Sequence, residues 1–265
     1  MLSKYKTKPL EGHALVLGGS GGIGSEIVRA LVGGGVSAVS FTYERNKDRA
    51  EALAKELGGA GVKTYFRKIN QSDVVDVNKF LEEAVTAIGK EISIAVNTIG
   101  ISPNKAFEEQ ALETTGPDID EMGWRDVYEV NVFGCFVSTR AIAMRMRMKG
   151  IRGSITLITS TNGINSQSPI SAHYDSSKAA QSHMMRIAAK EYAPHGIRIN
   201  GIAPGWIDTR MNLTLPPEER QKEMERIWTG RFAEPEEIAR FVAAIAGEAG
   251  SFLYGQDVML DGGYT

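Results

Sequence analysis

An α/β fold, in which helices cover both faces of one doubly wound parallel β-sheet, is predicted by three observations on the sequence. Strand-like and helix-like segments alternate along the chain, and that alternation is typical of parallel sheets. A glycine-rich stretch stands between the first strand-like and the first helix-like segment, as in Rossmann-like folds. The 265 residues, 42% of them hydrophobic, suffice for one large domain over residues 1–265.

The elements follow from hydrophobic patterning along the chain. The predicted strands, each a short apolar or β-branched run, are residues 13–17, 38–43, 62–69, 92–97, 154–159, 197–203 and 256–263. The predicted helices are residues 26–32, 49–57, 74–88, 121–149, 172–193 and 235–246, with a short helix beginning at Pro216 and Pro217. Stretches 101–120 and 206–231 are irregular, which is typical of binding loops, and 206–231 is expected to form a substrate lid.

Bulk properties exclude several classes of function. The net charge of −2 provides no general attraction to nucleic acid or to an anionic membrane, so neither partner is expected. No apolar run approaches the ~18 residues of a membrane span, and the first residues lack the apolar core of a signal peptide. The single cysteine, Cys135, excludes an intrachain disulfide and indicates a cytoplasmic protein in which it is a small buried hydrophobe. The 4 histidines have no metal-ligand spacing, so no metal is expected.

The stretch LVLGGSGGIGSE, Leu15 to Glu26, permits three glycine registers. Gly19, Gly21 and Gly24 spell G-x-G-x-x-G; Gly18, Gly21 and Gly24 spell G-x-x-G-x-x-G; Gly18, Gly22 and Gly24 spell G-x-x-x-G-x-G. Each register predicts a nucleotide-binding turn, because glycine lets the backbone approach a pyrophosphate and the following helix N-terminus offers free N–H groups. A tight strand–helix turn without a ligand is the plainer alternative.

The residues after the second strand leave the choice of cofactor open. Glu44 lies about 20 residues beyond the glycines, where an acidic side chain grips the ribose hydroxyls of NAD. Arg45 follows it, and a guanidinium can hold the 2′-phosphate of NADP in a bidentate contact. Spacing alone does not choose between them, and a solvated charged loop would carry the same residues.

A tyrosine and a lysine on the longest helix form the candidate catalytic pair. Tyr174 and Lys178 in YDSSK are four residues apart, so their side chains share one helical face. A nearby ammonium favours the phenolate, so we expect a lowered tyrosine pKa, suited to a general acid or base. Ser160, which ends the run ITLITS, could donate a hydrogen bond to a substrate carbonyl. Considered separately, Tyr174 and Lys178 would be an ordinary pair of side chains on a helix surface, and Ser160 would be a helix cap.

Together these motifs and their order resemble the short-chain dehydrogenase/reductase family over nearly the whole chain. The motifs that carry the resemblance are Gly18-x-x-x-Gly22-x-Gly24, VNTIG with Asn97 and Gly100, VNVFG with Asn131, TSTNG with Ser160, YDSSK, APGWIDT with Pro204, Gly205 and Thr209, GRFAEPEEIA and GQDVMLDGG. The resemblance selects the third glycine register, in which Gly19 and Gly21 are additional glycines that only make the loop more flexible.

The resemblance implies four catalytic residues. Tyr174 would transfer a proton, and Lys178 would hold the nicotinamide ribose and depress the tyrosine pKa. Ser160 would orient the carbonyl, and Asn131 would anchor a water in a proton relay toward Lys178. The hydride chemistry itself would belong to the cofactor.

The resemblance also implies a cofactor site. Its residues would be Gly18, Ser20, Gly22, Ile23, Gly24, Tyr43, Arg45, Asn70, Gln71, Asn97, Gly100, Tyr174, Lys178, Pro204, Gly205, Ile207 and Thr209. Within that set, Asn70 and Gln71 would flank the adenine, while Ile207 and Thr209 would position the nicotinamide carboxamide. Tyr43 stands where NAD-preferring members carry Asp, and Arg45 matches a phosphate-binding arginine, so NADP(H) is favoured and NAD(H) remains an alternative.

Three departures from the family pattern bear on the site. Leu17 replaces the usual Thr before the first glycine. Ile99 stands where the family carries a smaller alanine, which puts the packing beside the cofactor in question. The stretch from Gly100 to Asn131 is longer than in compact members and is interpreted as a substrate-side insertion.

The pattern is most similar to the 3-oxoacyl-[acyl-carrier-protein] reductase branch, which implies NADPH-dependent reduction of a ketone to a secondary alcohol. The substrate would be a small carbonyl compound, either free or carried on acyl carrier protein or coenzyme A. The basic run of Arg145, Arg147, Lys149 and Arg152 would attract such a carrier, or would simply be a solvated helix end. Stretch 206–231 is made apolar by Trp206, Met211, Leu213, Leu215, Ile227 and Trp228, which would cover the substrate or form a packed flap or subunit contact.

Other functions stay open at this point. One is NAD-dependent oxidation of an alcohol, polyol or steroid on the same fold, and a more distant one is a non-catalytic nucleotide sensor. Enoyl reduction is disfavoured, because related double-bond reductases usually space tyrosine and lysine more widely than Tyr174 and Lys178. The resemblance also implies a homo-oligomer, a tetramer or a dimer.

Overall fold

The computed structural model describes residues 8–165, 170–209, 212 and 215–264, and a seven-stranded parallel sheet runs through its centre. The strands are β1 (His13–Leu17), β2 (Ala38–Tyr43), β3 (Lys63–Lys68), β4 (Ile92–Asn97), β5 (Ser154–Ile158), β6 (Arg198–Pro204) and β7 (Asp257–Leu260). Their spatial order is β3-β2-β1-β4-β5-β6-β7, and every neighbouring pair is parallel. The order reverses between β1 and β4, which makes that crevice the expected ligand site.

Helices lie against both faces of the sheet. They are α1 (Gly22–Gly33), α2 (Lys47–Gly59), α3 (Val74–Ile88), α4 (Trp124–Tyr128), α5 (Cys135–Met148), α6 (Asn162–Asn165), α7 (Ala172–Tyr192), α8 (Pro217–Glu225) and α9 (Pro235–Ala246). Sequence-local capping explains several boundaries. Asn46 accepts from the Arg49 N–H at the start of α2, and Asp73 accepts from the Val75 and Asp76 N–H groups at the start of α3.

Two hydrophobic clusters, one on each face, confirm the doubly wound α/β prediction. Alternate residues of β1 enter different clusters: Val16 packs with α1, α2 and α9, whereas Leu15 and Leu17 pack with α3, α5 and α7. Leu17, the departure from the family pattern, is therefore a core residue that is 2% exposed. Because both faces are covered, the central strands β1, β4 and β5 are buried almost throughout rather than at alternate residues.

The predicted helix over 121–149 is present from Trp124 to Met148, but it begins later than predicted and is not a regular α-helix throughout. Ile119–Glu121 forms a 3₁₀ turn, Gly123 precedes α4, and Glu129–Gly134 forms a π-helical turn before α5 begins. A π-helical turn closes hydrogen bonds over one more residue than an α-helix does, and such turns are frequent at functional sites. Apolar spacing does not distinguish this irregularity from a continuous helix.

Candidate functional site

The glycine loop leaves β1 and turns sharply into α1. Gly18 has φ +77°, a left-handed conformation that glycine adopts without strain, and its N–H donates to Thr42 Oγ1 on β2 at 2.9 Å. The Gly21 N–H returns to the Gly18 carbonyl at 3.0 Å. A Cβ on Gly24 would overlap that same carbonyl oxygen, so the third glycine of the selected register is required by close packing.

Gly19 is not merely an additional flexible residue of the loop, as the sequence suggested. A Cβ built on Gly19 would lie 2.6 Å from the Phe41 Cβ, so the loop packs directly on β2 at this point. Real Cβ atoms do not approach one another so closely, because core packing is already dense. The glycine is therefore needed for the fold of the loop.

The N-terminus of α1 fits a diphosphate. Gly21, its N-cap residue, provides no side-chain hydrogen bond, and the first turn carries no acidic residue. The backbone N–H groups of that turn therefore stay available to an anion, and the helix dipole favours negative charge there. Thr209 lies across the loop, since a Cβ on Gly22 would be 3.5 Å from its Cγ2. The structure thus brings the predicted phosphate turn and the predicted carboxamide contact together.

A cavity of about 250 Å³ adjoins the glycine loop on the α2 side. Its lining residues are Ser20, Gly21, Gly22, Ser25, Arg29, Arg49, Ala52, Leu53 and Glu56. The Arg29 guanidinium is already bound to Glu56 and Glu26. In the described part of the chain, Arg49 makes no ion pair, so it is a cation available to an anion in this cavity. Arg49 is not among the predicted site residues, although its position in the first turn of α2 follows once Asn46 is recognised as the N-cap.

Glu44 and Arg45, the two residues after β2 that left the choice between NAD and NADP open, differ in their contacts. Glu44 forms an ion pair with Lys68 at 3.1 Å, next to the end of β3. Arg45 is exposed and, among the described residues, has no ion-pair partner. Tyr43 is half-buried, and its ring centroid lies 6.2 Å from that of Phe66.

The predicted adenine-side residues divide into one exposed and one buried residue. Asn70 is exposed, and its Oδ1 accepts from the Ser72 N–H at 3.0 Å. Gln71 is buried, accepts from Asn97 Nδ2 at 3.2 Å and donates to the Val130 carbonyl at 2.8 Å. Gln71 and Asn97 therefore join the ends of β3 and β4 to the π-helical turn, and their contact with an adenine stays a prediction.

The carboxyl ends of the central strands gather the predicted catalytic residues. Ser160 follows β5 and acts on the side chain of Tyr174, whose pKa it lowers, and Tyr174 stands in the first turn of α7. Lys178 is buried one turn further on, with its Nζ 5.7 Å from the Tyr174 ring centroid. Nζ donates to the Ile158 carbonyl at 2.9 Å. Gly100 lies against it, because a Cβ there would be 3.2 Å from Nζ.

Asn131 occupies the π-helical turn beside this group. Its Nδ2 donates to the Ile101 carbonyl and to Ser177 Oγ, both at 2.9 Å, and its Oδ1 accepts from the Ile101 N–H at 2.9 Å. Asn131 is fully buried and so fixes the start of the 101–120 stretch against α7. A Cβ on Gly100 would lie 3.4 Å from Oδ1, and that oxygen keeps a second lone pair.

Burial, rather than the nearby lysine, sets the pKa of the tyrosine. Burial and, to a smaller extent, the Asp175 carboxylate raise the pKa of Tyr174 to about 12 against the lowering effect of the Ser160 hydrogen bond. The expected depression by Lys178 is absent, because the ammonium lies over the ring and is itself desolvated. Burial lowers the pKa of Lys178 to about 8, while Cys135 and Asp257 oppose that shift.

The residues predicted to lie on the nicotinamide side follow directly after β6, and their contact with a nicotinamide stays a prediction. Pro204 ends β6, the Gly205 N–H donates to the Leu260 carbonyl at 3.0 Å, and Ile207 pairs with Ala233 in an isolated bridge. The site end of this strand is thereby held between β7 and the segment before α9.

The predicted short helix in stretch 206–231 is present as α8. Glu223 of α8 accepts from Trp206 Nε1 at 3.0 Å and from the Tyr264 hydroxyl at 2.5 Å. Trp228 is 81% exposed, whereas Ile227 is buried. Met211 and Leu213, named above as apolar lid residues, lie outside the described residues.

The basic run at the end of α5 is largely engaged within the chain. Arg145 is bound to Glu82 and Glu91, and Lys149 lies 3.9 Å from Glu91. The Arg147 guanidinium stands 5.8 Å over the Tyr192 ring. These contacts favour the interpretation of the run as a helix end over that of a carrier-docking surface.

Within residues 8–165, 170–209, 212 and 215–264, no three His, Cys, Asp or Glu side chains come together as a metal site would require. In the same residues, each helix is too short or too polar to cross a bilayer.

Comparison with known proteins gives consistent matches over almost the whole chain. A family model described as Enoyl-(Acyl carrier protein) reductase matches residues 18–265. The chain is 33% identical over 251 residues to the 3-oxoacyl-[acyl-carrier-protein] reductase of Aquifex aeolicus, covering 94% of this chain and 96% of that protein. It is 32% identical over 254 residues to the galactitol 2-dehydrogenase (L-tagatose-forming) of Cereibacter sphaeroides, covering 95% of this chain and 94% of that protein.

A solved structure shows the same fold. A short-chain dehydrogenase/reductase from Serratia marcescens superimposes with a TM-score of 0.86 at 33% identity, covering 97% of this chain and 99% of that one. This similarity confirms the predicted doubly wound parallel sheet.

Proposed function

The chain belongs to the short-chain dehydrogenase/reductase family, an oxidoreductase family that binds NAD(P), and from that membership we propose that it reduces a ketone to a secondary alcohol with NADPH. The observation that carries the proposal is the meeting of Ser160, Tyr174 and Lys178 at the carboxyl ends of the central strands. A nucleotide sensor would have no use for that combination of hydroxyl, phenol and ammonium. We further propose one domain over residues 1–265, with stretch 206–231 as its lid.

The reaction divides between cofactor and chain. When bound, the nicotinamide supplies a hydride to the carbonyl carbon. Tyr174 gives the hydroxyl proton to the carbonyl oxygen, and its pKa of about 12 keeps that proton in place until the substrate needs it. Ser160 donates a hydrogen bond to the same oxygen and stabilises the negative charge that develops on it.

Lys178 and Asn131 act on the tyrosine after the proton has left. In the reacting complex the ammonium, which lies 5.7 Å from the ring centroid in this structure, is proposed to attract the phenolate, an effect that the Tyr174 pKa of about 12 does not include. The free lone pair of Asn131 Oδ1 holds a water through which the phenolate is reprotonated. Removing either group should therefore slow turnover more than it weakens substrate binding.

Two free cations support NADP(H) over NAD(H). Arg45 and Arg49 lie after β2 and in the first turn of α2, and neither forms an ion pair in the described part of the chain. Arg49 lines the cavity that Ser20 and Gly21 share, so a 2′-phosphate there would meet a guanidinium and a hydroxyl. The ion pair of Glu44 with Lys68 offsets the carboxylate charge that would repel a phosphate.

Removing these cations tests the cofactor assignment. Arg45→Ala and Arg49→Ala are each expected to weaken NADPH binding by about 1–3 kcal/mol, because a charged hydrogen bond to phosphate is lost, and to leave NADH binding nearly unchanged. Both affinities can be measured by calorimetry. Lys55→Ala, an exposed position further along α2, is the matched control. Equal losses for NADPH and NADH would remove either arginine from the phosphate site.

The pKa of the buried Lys178 predicts that the rate of reduction falls on the basic side of the pH profile. Reduction is expected to slow above about pH 8, because Lys178 has a pKa of about 8 and loses the charge that stabilises the phenolate. Because the pKa of Tyr174 is about 12, its titration would not change the rate in that pH range. The measurement is kcat/KM for ketone reduction as a function of pH, and a flat profile through pH ~9 would argue against this role of Lys178.

The substrate proposed is a 3-oxoacyl thioester or a similar carbonyl compound, carried on acyl carrier protein or coenzyme A, and it rests on similarity to the Aquifex aeolicus reductase. A second candidate, NAD-dependent oxidation of a polyol, is favoured by the similarity to the galactitol dehydrogenase.

We also propose a homo-oligomer, a tetramer or dimer. Phe133 in the π-helical turn and Phe136 in the first turn of α5 are 55% and 49% exposed, which suits a subunit contact.

A further inference from the structure

Lys178 has a second hydrogen-bond partner that the reaction described above does not use. Gln181, three residues along α7, accepts from Lys178 Nζ through its Oε1 at 3.1 Å. Its Nε2 donates to the sulfur of Cys135 at 3.1 Å. Gln181 and Cys135 are both 0% exposed, and Lys178 is 3% exposed, so water does not compete for these contacts.

The ammonium and the thiol together fix which way the amide faces. An amide presents an acceptor at one end and two donors at the other, so a flipped Gln181 would place its NH₂ against an ammonium. Burial raises the pKa of Cys135, which keeps the thiol neutral and able to accept. With Nε2 bound to the sulfur, Oε1 must face Lys178.

This contact joins two parts of the site. Cys135 is the first residue of α5 and directly follows the π-helical turn that carries Asn131. Gln181 and Lys178 stand on consecutive turns of α7. The amide therefore fixes the ammonium relative to both the turn and Tyr174.

The charged form of Lys178 depends on few groups. Among the described residues, the titratable groups facing it are Tyr174 on α7, Cys135 on α5 and Asp257 on β7. Asp257 is engaged with Thr159 Oγ1 at 2.6 Å and with Ser182, so it acts on the ammonium only through space. The direct acceptors are the Ile158 carbonyl and Gln181 Oε1, and only the second is a side chain.

We propose that Gln181 is a positioning residue for Lys178, and that Cys135 orients the Gln181 amide. Gln181 holds the ammonium in place beside Tyr174 and stabilises its charge on a side that bulk solvent does not reach. The proposal rests on the proposed function for its consequence in turnover, but the position and charge of Lys178 can be measured without any substrate.

The direct test is the titration of Lys178 itself. Protein containing lysine labelled with ¹³C at Cε is titrated by NMR, and the Lys178 signal is identified by its loss in Lys178→Arg. Gln181→Met, which keeps the volume but removes the acceptor, is expected to move the midpoint down from about 8 by about one pH unit. Gln181→Glu adds a carboxylate and is expected to move the midpoint up.

Further variants separate positioning from simple packing. Met185→Leu, one turn along α7 and also fully buried, is the matched control and is expected to leave the midpoint in place. Cys135→Ser retains an acceptor and should resemble the unchanged protein, whereas Cys135→Ala should shift the midpoint in the direction of Gln181→Met. If Gln181→Met destabilises the fold, Gln181→Glu and the two Cys135 variants still decide the question.

The outcomes are distinct. An unmoved midpoint in both Gln181 variants overturns the proposal, whatever the protein does with ketones. A shifted midpoint supports it even in a protein that fails to reduce ketones, in which case the proposed function alone is wrong. If reduction is observed, Gln181→Met should lower kcat about tenfold with little change in KM and move the basic limb with the NMR midpoint. A loss of kcat without that movement means that the role is packing only.

Discussion

Tyr174→Phe is expected to reduce kcat for ketone reduction by about 10²- to 10⁴-fold, the contribution of a positioned general acid. The substitution removes only the hydroxyl that carries the proton. The half-buried ring, the position of Lys178 over it and the glycine loop all stay as they are. NADPH binding, followed by the change in nucleotide fluorescence, should therefore be retained.

The matched control for this variant is Tyr192→Phe at the end of the same helix. Tyr192 is buried in the cluster between α5 and α7 and lies far along α7 from the site. It should keep near-normal turnover. Near-normal turnover of Tyr174→Phe would mean that the proton comes from another group and would contradict the catalytic assignment.

Gly24→Val is expected to lower the free energy of unfolding by about 1–3 kcal/mol and to abolish nucleotide binding. A Cβ at this position would overlap the Gly18 carbonyl oxygen, so α1 would have to move away from the loop. The N–H groups aimed at the diphosphate would move with it. Chemical denaturation and calorimetric titration with NADPH measure the two effects.

Gly33→Ala on the same helix is the control for Gly24→Val. A Cβ there meets nothing within 4 Å, so the fold should be unchanged or more stable by about 0.4–1 kcal/mol, since alanine restricts the unfolded chain. Full NADPH binding by Gly24→Val would show that the close approach of Gly24 to Gly18 is not needed for the cofactor site.

Much of the fold could be predicted because its signals are local. Strands β1, β2 and β4 begin and end at the predicted residues, since each is an apolar run bounded by turns. The meeting of Ser160 with Tyr174 followed from a general rule, because the carboxyl ends of parallel strands share one edge of the sheet.

The features that escaped prediction depend on contacts between distant segments. The packing of Gly19 on Phe41 joins a loop to the next strand, and neither residue signals it. The π-helical turn at Asn131 is held by the backbone of Ile101, thirty residues earlier in the chain. The raised pKa of Tyr174 reflects burial, which the spacing of Tyr174 and Lys178 cannot report.

The most direct test of the account compares initial rates with both cofactors on both substrate classes. Acetoacetyl thioester and NADPH are paired against galactitol and NAD, with NADH and a crotonyl thioester as the crossed controls. We expect the highest kcat/KM for the oxo thioester with NADPH, and loss of that activity in Tyr174→Phe. Faster polyol oxidation with NAD, or faster reduction of the crotonyl double bond, would contradict the assignment as an NADPH-dependent ketoreductase.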